Sequence, residues 1–218
     1  MVPGSSPGGP TRNKNTNLRV GIFLSIVLSM KIVIKEFELA ESLIESMAMA
    51  NNLEDYEQHW RDFLRNLDRG FNKLSDICSS FKIAKSTVDS IVVIRKNDPL
   101  IQYLMQARNC DEHTVRSITT RTQGFTRIQG GENGGTIIKG EIVGGEYPGS
   151  LEISGNLNIE FKIDYLRVIP VLNRNIKYEV PTTHLGKKIT SEIPHVLAKL
   201  GLDFYKAKLV ALEAIINQ

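Results

Sequence analysis

Residues 53–75 are the part of the chain that most constrains its fold. Their apolar side chains recur at three- and four-residue steps, at Tyr56, Trp60, Phe63, Leu64, Leu67, Phe71 and Leu74. The positions between them are mostly charged, which is typical of an amphipathic helix with one buried face. The pattern continues to about residue 81. Because such a face needs apolar partners, the stretch predicts a helix that packs against other helices.

Two further segments predict helices by the same periodicity. Residues 33–50 carry apolar side chains at helical spacing, and the pair Asn51-Asn52 ends the pattern. A third helix is predicted from about residue 97 to about residue 120. Asp98 can cap its start and Pro99 suits its first position. Residues 85–95 fit either a short helix or a strand.

The periodicity changes after residue 121, where glycines become frequent. Residues 151–163 alternate between apolar and polar side chains, which predicts a half-buried strand. Further strands are predicted at 136–143, 165–171 and 176–180, and together these segments indicate a small antiparallel sheet. Helical spacing returns at Leu185 and continues towards the end of the chain, with Gly201 as a candidate kink.

These patterns predict an α+β chain. We expect a helical bundle of about four helices, with an antiparallel β-sheet inserted between the third and last helices. Residues 30–121 form the first part of the bundle, 122–183 the β-rich insertion, and 184–218 the helix that completes the bundle. Residues 1–29 are expected to be a disordered or non-native extension. The apolar run at 20–30 also fits a buried element or a targeting or anchoring segment.

Composition narrows the chemistry of the chain. A formal net charge of +3 permits an acidic partner such as nucleic acid without requiring one. Cys78 and Cys110 follow no disulfide or zinc pattern, which indicates a reducing, cytoplasmic location. The four histidines lack metal-binding spacing, so we expect no metal and no cofactor. His59 is more typical of a solvated edge than of a ligand. The glycine-rich residues 129–135 lack the Lys and Ser/Thr of a phosphate loop.

Residues 108–113, with the sequence Arg-Asn-Cys-Asp-Glu-His, are the strongest candidate for a functional site. His113 has the chemistry of a general acid or base, and Arg108 can stabilise negative charge that develops on a phosphate. RNA carries its own nucleophile, the 2′-hydroxyl, so cleavage by such a pair needs no metal. A structural interpretation competes with this one: Glu112 and Asp111 lie within reach of Arg108 on one helix, which leaves His113 solvated.

Helical geometry sets a condition on the catalytic interpretation. Arg108 and His113 are offset by roughly 140° around a helix axis, so one helix cannot direct both side chains squarely at one phosphate. Asn109 shares the face of His113, four residues away. Two antiparallel copies of the helix across a two-fold axis would place Arg and His in one cleft.

Arg108 and Asn109 followed by His113, near the end of a helix in a scaffold of about four helices, resemble the signature of the HEPN superfamily. The resemblance implies a homodimeric helical bundle. In active members it implies a metal-independent endoribonuclease at the dimer interface, whose products carry cyclic phosphate ends. Arg108 would then stabilise the phosphate, His113 would act as acid or base, and Asn109 would position the scissile group. The β-rich insertion is not part of the basic family core.

The resemblance also implies partners: RNA, a second copy of the chain, and an antitoxin or other protein. Arg116 and Arg121 follow the motif and fit either an RNA-facing patch or a solvated face. The alternative function is a non-catalytic interaction module of a defence or toxin–antitoxin system, in which the sheet recognises a protein. A protein tethered by residues 20–30 is a third alternative, although no membrane partner is expected.

Overall fold

The computed structural model describes residues 14–81, 85–130, 137–140, 151–154 and 157–216. The helices of this part of the chain are α1 (Lys14–Met49), α2 (Leu53–Phe81), α3 (Lys85–Asn97), α4 (Pro99–His113) and α5 (Pro194–Ile216). Its strands are β1 (Thr119–Thr122), β2 (Phe125–Gly130), β3 (Ile137–Gly140), β4 (Leu151–Ser154), β5 (Leu157–Lys162), β6 (Tyr165–Val168), β7 (Val171–Asn173), β8 (Ile176–Tyr178), β9 (Thr183–His184) and β10 (Lys187–Lys188).

The predicted α+β class is confirmed. The helices pack as a bundle, and antiparallel strand pairs lie between α4 and α5 in the sequence. The bundle contains one helix more than the four predicted, because the ambiguous stretch forms α3, with Val88, Ile91 and Arg95 buried at helical spacing. Helix α5 packs on α1, α2 and α4, so the last helix completes the bundle.

Helices α1 and α2 form an antiparallel hairpin with a continuous apolar seam. The buried positions alternate steps of four and three residues, the spacing of a helix–helix contact. They are Ile26, Met30, Val33, Phe37, Ala40 and Met47 on α1, and Trp60, Leu64, Leu67, Phe71, Leu74 and Cys78 on α2. Asn52 caps α2, since its side-chain oxygen accepts a 2.8 Å hydrogen bond from the Asp55 N–H. The core formed by this hairpin continues into the buried faces of α3, α4 and α5.

The predicted boundary at residue 30 does not exist in the fold. Helix α1 runs unbroken from Lys14, and Ile26 is buried in the same core as Met30. Residues 14–29 are therefore helical, and Ile26 extends the buried seam towards the start of α1. Residues 1–13 lie outside the described residues. In the part of the chain that the structure describes, no helix combines the length and hydropathy needed to cross a bilayer.

The predicted end of α4 and the predicted start of α5 are both wrong. Helix α4 stops at His113 instead of residue 120, because Thr114 turns extended and its hydroxyl donates a 2.8 Å bond to the Cys110 carbonyl. Val115, predicted on the apolar helix face, is consequently fully exposed. Helix α5 begins only at Pro194. The segment after Leu185 instead belongs to the β9–β10 hairpin, whose turn holds Leu185 at a φ of +48°.

The strands divide between two compact units. One comprises Thr119–Arg167, where β2 pairs antiparallel with β5 and β3 with β4. The other contains the helices together with residues 168–218. The β-rich unit is therefore shorter than the predicted insertion at 122–183. The reason is that β7 packs on α4 and pairs with β8, so both strands belong to the helical unit.

Hydrogen bonds from α4 hold the β7–β8 hairpin in place. The Tyr103 hydroxyl donates a 2.7 Å bond to the Ile169 carbonyl just before β7. The Asn173 amide, at the end of β7, donates a 2.6 Å bond to Gln106 Oε1. Val171 is buried between these two contacts along the chain. The hairpin is thereby fixed along α4 at two points.

Gly70 allows α1 and α2 to approach closely. A Cβ at this position would lie 2.5 Å from Phe37 Cε1, and Phe37 is buried against Tyr205.

We predict that Gly70→Ala lowers the free energy of unfolding by about 1–3 kcal/mol through overpacking, although alanine is intrinsically the better helix former. Urea denaturation of Gly70→Ala and of Gly70→Ala/Phe37→Leu tests this. The loss should be smaller when measured against Phe37→Leu alone, and an equal loss in both backgrounds would contradict it.

Asp98 joins the start of α4 to the β9–β10 hairpin. Burial by itself would raise the pKa of Asp98. Hydrogen bonds from the Leu185 N–H (2.7 Å), His184 Nδ1 (2.9 Å) and the Ile101 N–H (3.0 Å) outweigh burial, so the pKa lies below its usual 3.8. The ionised form is therefore favoured in the folded state. The ionised Asp98 carboxylate contributes its full stabilisation of the fold above about pH 4. This contribution is lost as the pH falls through the pKa of Asp98 in the folded protein.

We predict that Asp98→Asn destabilises the protein near neutral pH by about 1 kcal/mol, because a capping charge is removed. The gap between wild type and variant should narrow as the pH falls below 3.8. Denaturant unfolding of both proteins between about pH 6 and pH 2.5 measures the gap. A gap that stays constant across this range would contradict the proposed role of the ionised carboxylate.

Candidate functional site

Helix α4 has two faces that carry candidate site residues, and the motif is divided between them. Tyr103, Gln106, Cys110 and His113 recur at steps of three and four residues on the face towards the β7–β8 hairpin. Arg108, Asp111 and Glu112 lie on the face towards α2, where each forms an ion pair with an α2 side chain. The structure thus separates Arg108 from His113, as their angular offset on a helix predicts.

Arg108 is held between two carboxylates. Its Nη2 lies 3.2 Å from Glu112 Oε2 and its Nε lies 3.6 Å from Asp68 Oδ2. A third nitrogen, Nη1, donates a 3.1 Å hydrogen bond to the side-chain oxygen of Asn109. The side chain remains 26% exposed. The predicted pairing of Arg108 with Glu112 is therefore present, and the guanidinium is fixed and largely neutralised in this state.

Asp111 does not pair with Arg108, contrary to the sequence-based expectation. Its side chain is only 2% exposed and contacts two arginines that lie one turn apart on α2. Arg65 Nη2 donates to it at 3.1 Å, and Arg61 Nη1 makes a second, closer contact. Arg61 also pairs with Glu57, and Arg65 with Asp62, each within α2. The role of Asp111 is to fix α4 against α2.

Asp68 extends this ionic network into the core. Its Oδ1 accepts a 2.6 Å hydrogen bond from Arg95, whose side chain is buried. A second Arg95 nitrogen donates at 2.6 Å to the Tyr205 hydroxyl, and the guanidinium carbon lies 3.9 Å from the Phe71 ring centroid. Burial raises the pKa of Tyr205, so its hydroxyl stays neutral. Asp68 therefore links the motif residue Arg108 to α3 and α5.

His113 has a different environment from Arg108. It is exposed at the last position of α4, and among the described residues its ring has no hydrogen-bond partner. It lines an open depression of about 640 Å³, together with Glu112, Thr114, Val115, Arg116, Leu172, Arg174 and Asn175. Arg108 does not line this depression. One chain therefore offers a solvent-accessible imidazole with basic neighbours, but not the Arg–His pair in a single cavity.

The two predicted RNA-binding arginines differ in their surroundings. Arg116 is exposed and lines the depression beside His113. Arg121 lies in the other compact unit, where its Nε donates a 2.7 Å hydrogen bond to Asp164. The Gly124 N–H and the Arg121 guanidinium hold the pKa of Asp164 below its usual range. Only Arg116 is thus placed beside a motif residue within one unit.

Sequence reasoning missed Arg174. It occupies the two-residue turn between β7 and β8, where Arg174 has a φ of +48° and Asn175 a φ of +64°. Two successive left-handed residues make the tight turn that a hairpin of this length requires. The only local signal was Asn175, since asparagine tolerates positive φ. The contact of the turn with the His113 depression depends on tertiary packing and has no local signature.

The other histidines have structural surroundings. His195 Nδ1 lies 2.7 Å from the Tyr56 hydroxyl; burial lowers the pKa of His195 and raises that of Tyr56 to about 12. His184 caps the Asp98 carboxylate, and His59 is partly buried on α2. Within the described residues no group of three or more His, Cys, Asp or Glu side chains has the arrangement of a metal site. The glycine-rich residues 131–135 lie outside the described residues.

We predict that Asp111→Asn destabilises the fold by roughly 1–3 kcal/mol, because two partly exposed arginines lose their shared buried carboxylate. Thermal and urea unfolding measure the loss. Asp203→Asn is the matched control, since Asp203 pairs with Lys199 at 2.9 Å on an exposed helix surface and should cost less than about 1 kcal/mol. Equal effects of the two substitutions would show that burial of Asp111 does not matter.

No protein-family model, curated protein or solved structure matches the chain. The HEPN resemblance therefore rests on Arg108, Asn109 and His113 and on their position near the end of a bundle helix.

Proposed function

We propose that the chain is a HEPN-like, metal-independent endoribonuclease that acts as a homodimer. The observation that carries the proposal is the position of His113, exposed at the end of α4 in a depression that also holds two arginines. An accessible imidazole beside cationic side chains suits proton transfer on a bound phosphodiester. The two free, buried cysteines suit a reducing compartment such as the cytoplasm.

The chemistry would use the RNA as its own nucleophile. One His113 takes the proton from the 2′-hydroxyl, whose oxygen then forms a bond to phosphorus. The bond from phosphorus to the 5′-oxygen breaks, and a protonated His113 of the second copy donates a proton to that leaving oxygen. The products are a 2′,3′-cyclic phosphate and a 5′-hydroxyl. Arg108 would stabilise the charge on the phosphoryl oxygens, and Asn109 would position the scissile group.

The dimer is needed because one chain keeps Arg108 and His113 apart. In a two-fold arrangement of α4 helices, Arg108 of one copy would face His113 of the other. The Arg108–Glu112 pair is partly exposed, so a phosphate can replace Glu112 at little cost. Asp68 would keep the guanidinium oriented during this exchange, because it contacts Nε and leaves the Nη2 end available.

A second candidate function is favoured by a specific observation. Arg108 already has two carboxylates, Asp68 and Glu112, within 3.6 Å. Such a neutralised arginine suits a structural role in a non-catalytic interaction module of a defence or toxin–antitoxin system. In that case the protein partner would be an antitoxin or another component of the system. Cleavage assays separate the two candidates.

We predict that the full chain cleaves single-stranded RNA in the presence of EDTA and leaves cyclic phosphate ends. His113→Ala and Arg108→Ala should each lower the rate by at least about 100-fold. Denaturing gels of end-labelled RNA measure the rate, and unfolding curves verify that both variants fold. His59→Ala is the matched control and should cleave at the wild-type rate, since His59 lies on α2 and does not line the depression.

Intact RNA after prolonged incubation with a folded wild-type protein would favour the interaction module. Wild-type rates in a folded His113→Ala variant would also contradict the proposal. Sedimentation of the wild-type protein tests the dimer, because a strictly monomeric chain that cleaves RNA would rule out a cleft shared between copies. Glu112→Gln provides a further measurement: release of Arg108 should preserve or raise the rate if Glu112 only competes with phosphate.

A further inference from the structure

We infer that the β7–β8 turn is a substrate-binding element, in which Arg174 acts with Arg116 to bind a phosphate of single-stranded RNA beside His113. The identity of the ligand as RNA rests on the proposed function. Neither arginine belongs to the Arg108–His113 motif, and Arg174 comes from a different part of the chain. The site would hold the strand next to the scissile phosphate, without taking part in the proton transfers.

The fold places Arg174 firmly. It follows Asn173, whose amide donates to Gln106 on the same α4 face as His113. Tyr103, one turn before Gln106 on that face, binds the chain at Ile169, just ahead of β7. The hairpin turn and His113 are therefore attached to one stripe of one helix. Both line the same depression as a result.

The charges of the depression favour an anionic ligand. Arg116 and Arg174 are exposed, and within the described part of the chain neither forms an ion pair with a carboxylate. Of the described residues that line the depression, Glu112 is the only acidic one. Its carboxylate is already occupied by Arg108 at 3.2 Å and by Arg65 at 3.4 Å. Two arginines thus remain available to a phosphodiester, which guanidinium groups bind through paired hydrogen bonds.

The remaining lining residues favour a nucleotide over a bare phosphate. Val115 is fully exposed and Leu172 is half-buried, so the depression offers an aliphatic surface beside its cations. Thr114 and Asn175 add hydrogen-bonding groups. The volume of about 640 Å³ lies within the range of small-ligand sites. This combination of cation, hydroxyl and aliphatic surface suits the phosphate and sugar of an unpaired strand.

The backbone of the turn supports a role for Arg174 that is separate from folding. Its φ of +48° is a conformation that favours asparagine or glycine over a long side chain. An arginine at this position is therefore a poorer turn former than the alternatives. Arg174→Asn consequently removes the charge and keeps the turn, so it separates ligand binding from stability.

The test measures binding of a fluorescein-labelled, 2′-O-methylated single-stranded RNA, which the 2′-hydroxyl mechanism cannot cleave, to the full chain in EDTA. We expect Arg174→Asn to weaken binding by about tenfold, the effect of one charged hydrogen bond. The logarithm of the association constant decreases with the logarithm of the salt concentration. The magnitude of this slope should become smaller by about 0.7, the value for one lost phosphate contact on a single strand. The melting temperature should stay constant or rise.

Lys177→Asn is the matched control. Lys177 lies on β8 of the same hairpin, but its ammonium pairs with Glu179 at 2.7 Å and does not line the depression. Its replacement should leave the affinity and the salt slope close to wild type. An equal loss of RNA affinity in Arg174→Asn and Lys177→Asn would show that only the overall charge of the protein matters, and it would overturn the inference.

The inference and the proposed function fail in different ways. Wild-type cleavage together with unchanged RNA affinity and salt slope in Arg174→Asn would overturn the inference and leave the nuclease in place. Arg174-dependent binding by a wild-type protein that never cleaves RNA would overturn the nuclease and support the binding site. No detectable binding of the oligonucleotide by the wild-type protein would overturn the inference.

Discussion

The carboxylate of Asp68 is the interaction on which the bundle and the motif both depend. Its two oxygens face two different arginines, Arg95 in the core and Arg108 at the motif. A buried guanidinium without a partner costs several kcal/mol, so the buried Arg95 depends on the Asp68 carboxylate to hold its position. Through Arg95 the network reaches Tyr205 on α5. The same carboxylate therefore sets the packing of four helices and the orientation of the candidate catalytic arginine.

Local chemistry allowed much of the fold to be predicted. Apolar spacing identified α2, and the pair Asp98-Pro99 identified the start of α4, because both signals act within a few residues. The end of α4 was missed because apolar residues continue past His113 while the Thr114 hydroxyl competes for the last carbonyl. The start of α5 was missed because Leu185 keeps helical spacing, although a hairpin turn satisfies its backbone instead.

The candidate site shows the same division between local and long-range information. The Arg108–Glu112 pair could be predicted, because residues four apart on a helix are neighbours. The partners of Asp111 could not, since Arg61 and Arg65 come from a different helix and meet it only in the packed bundle. The position of Arg174 beside His113 could not be predicted for the same reason, because it depends on how β7 packs on α4. Contacts between residues of one helix can be predicted from a single sequence, because they depend on spacing alone. Contacts between different elements cannot, because they depend on how the elements pack.

The attachment of the β7–β8 hairpin to α4 has a dynamic consequence. The Tyr103–Ile169 and Asn173–Gln106 hydrogen bonds attach the hairpin to α4 at two points, so displacements of α4 carry the backbones of His113 and Arg174 along together. The backbone positions of His113 and Arg174 are therefore coupled. A ligand bound by both residues would not require the hairpin to be ordered on binding, so that part of the entropic cost is absent.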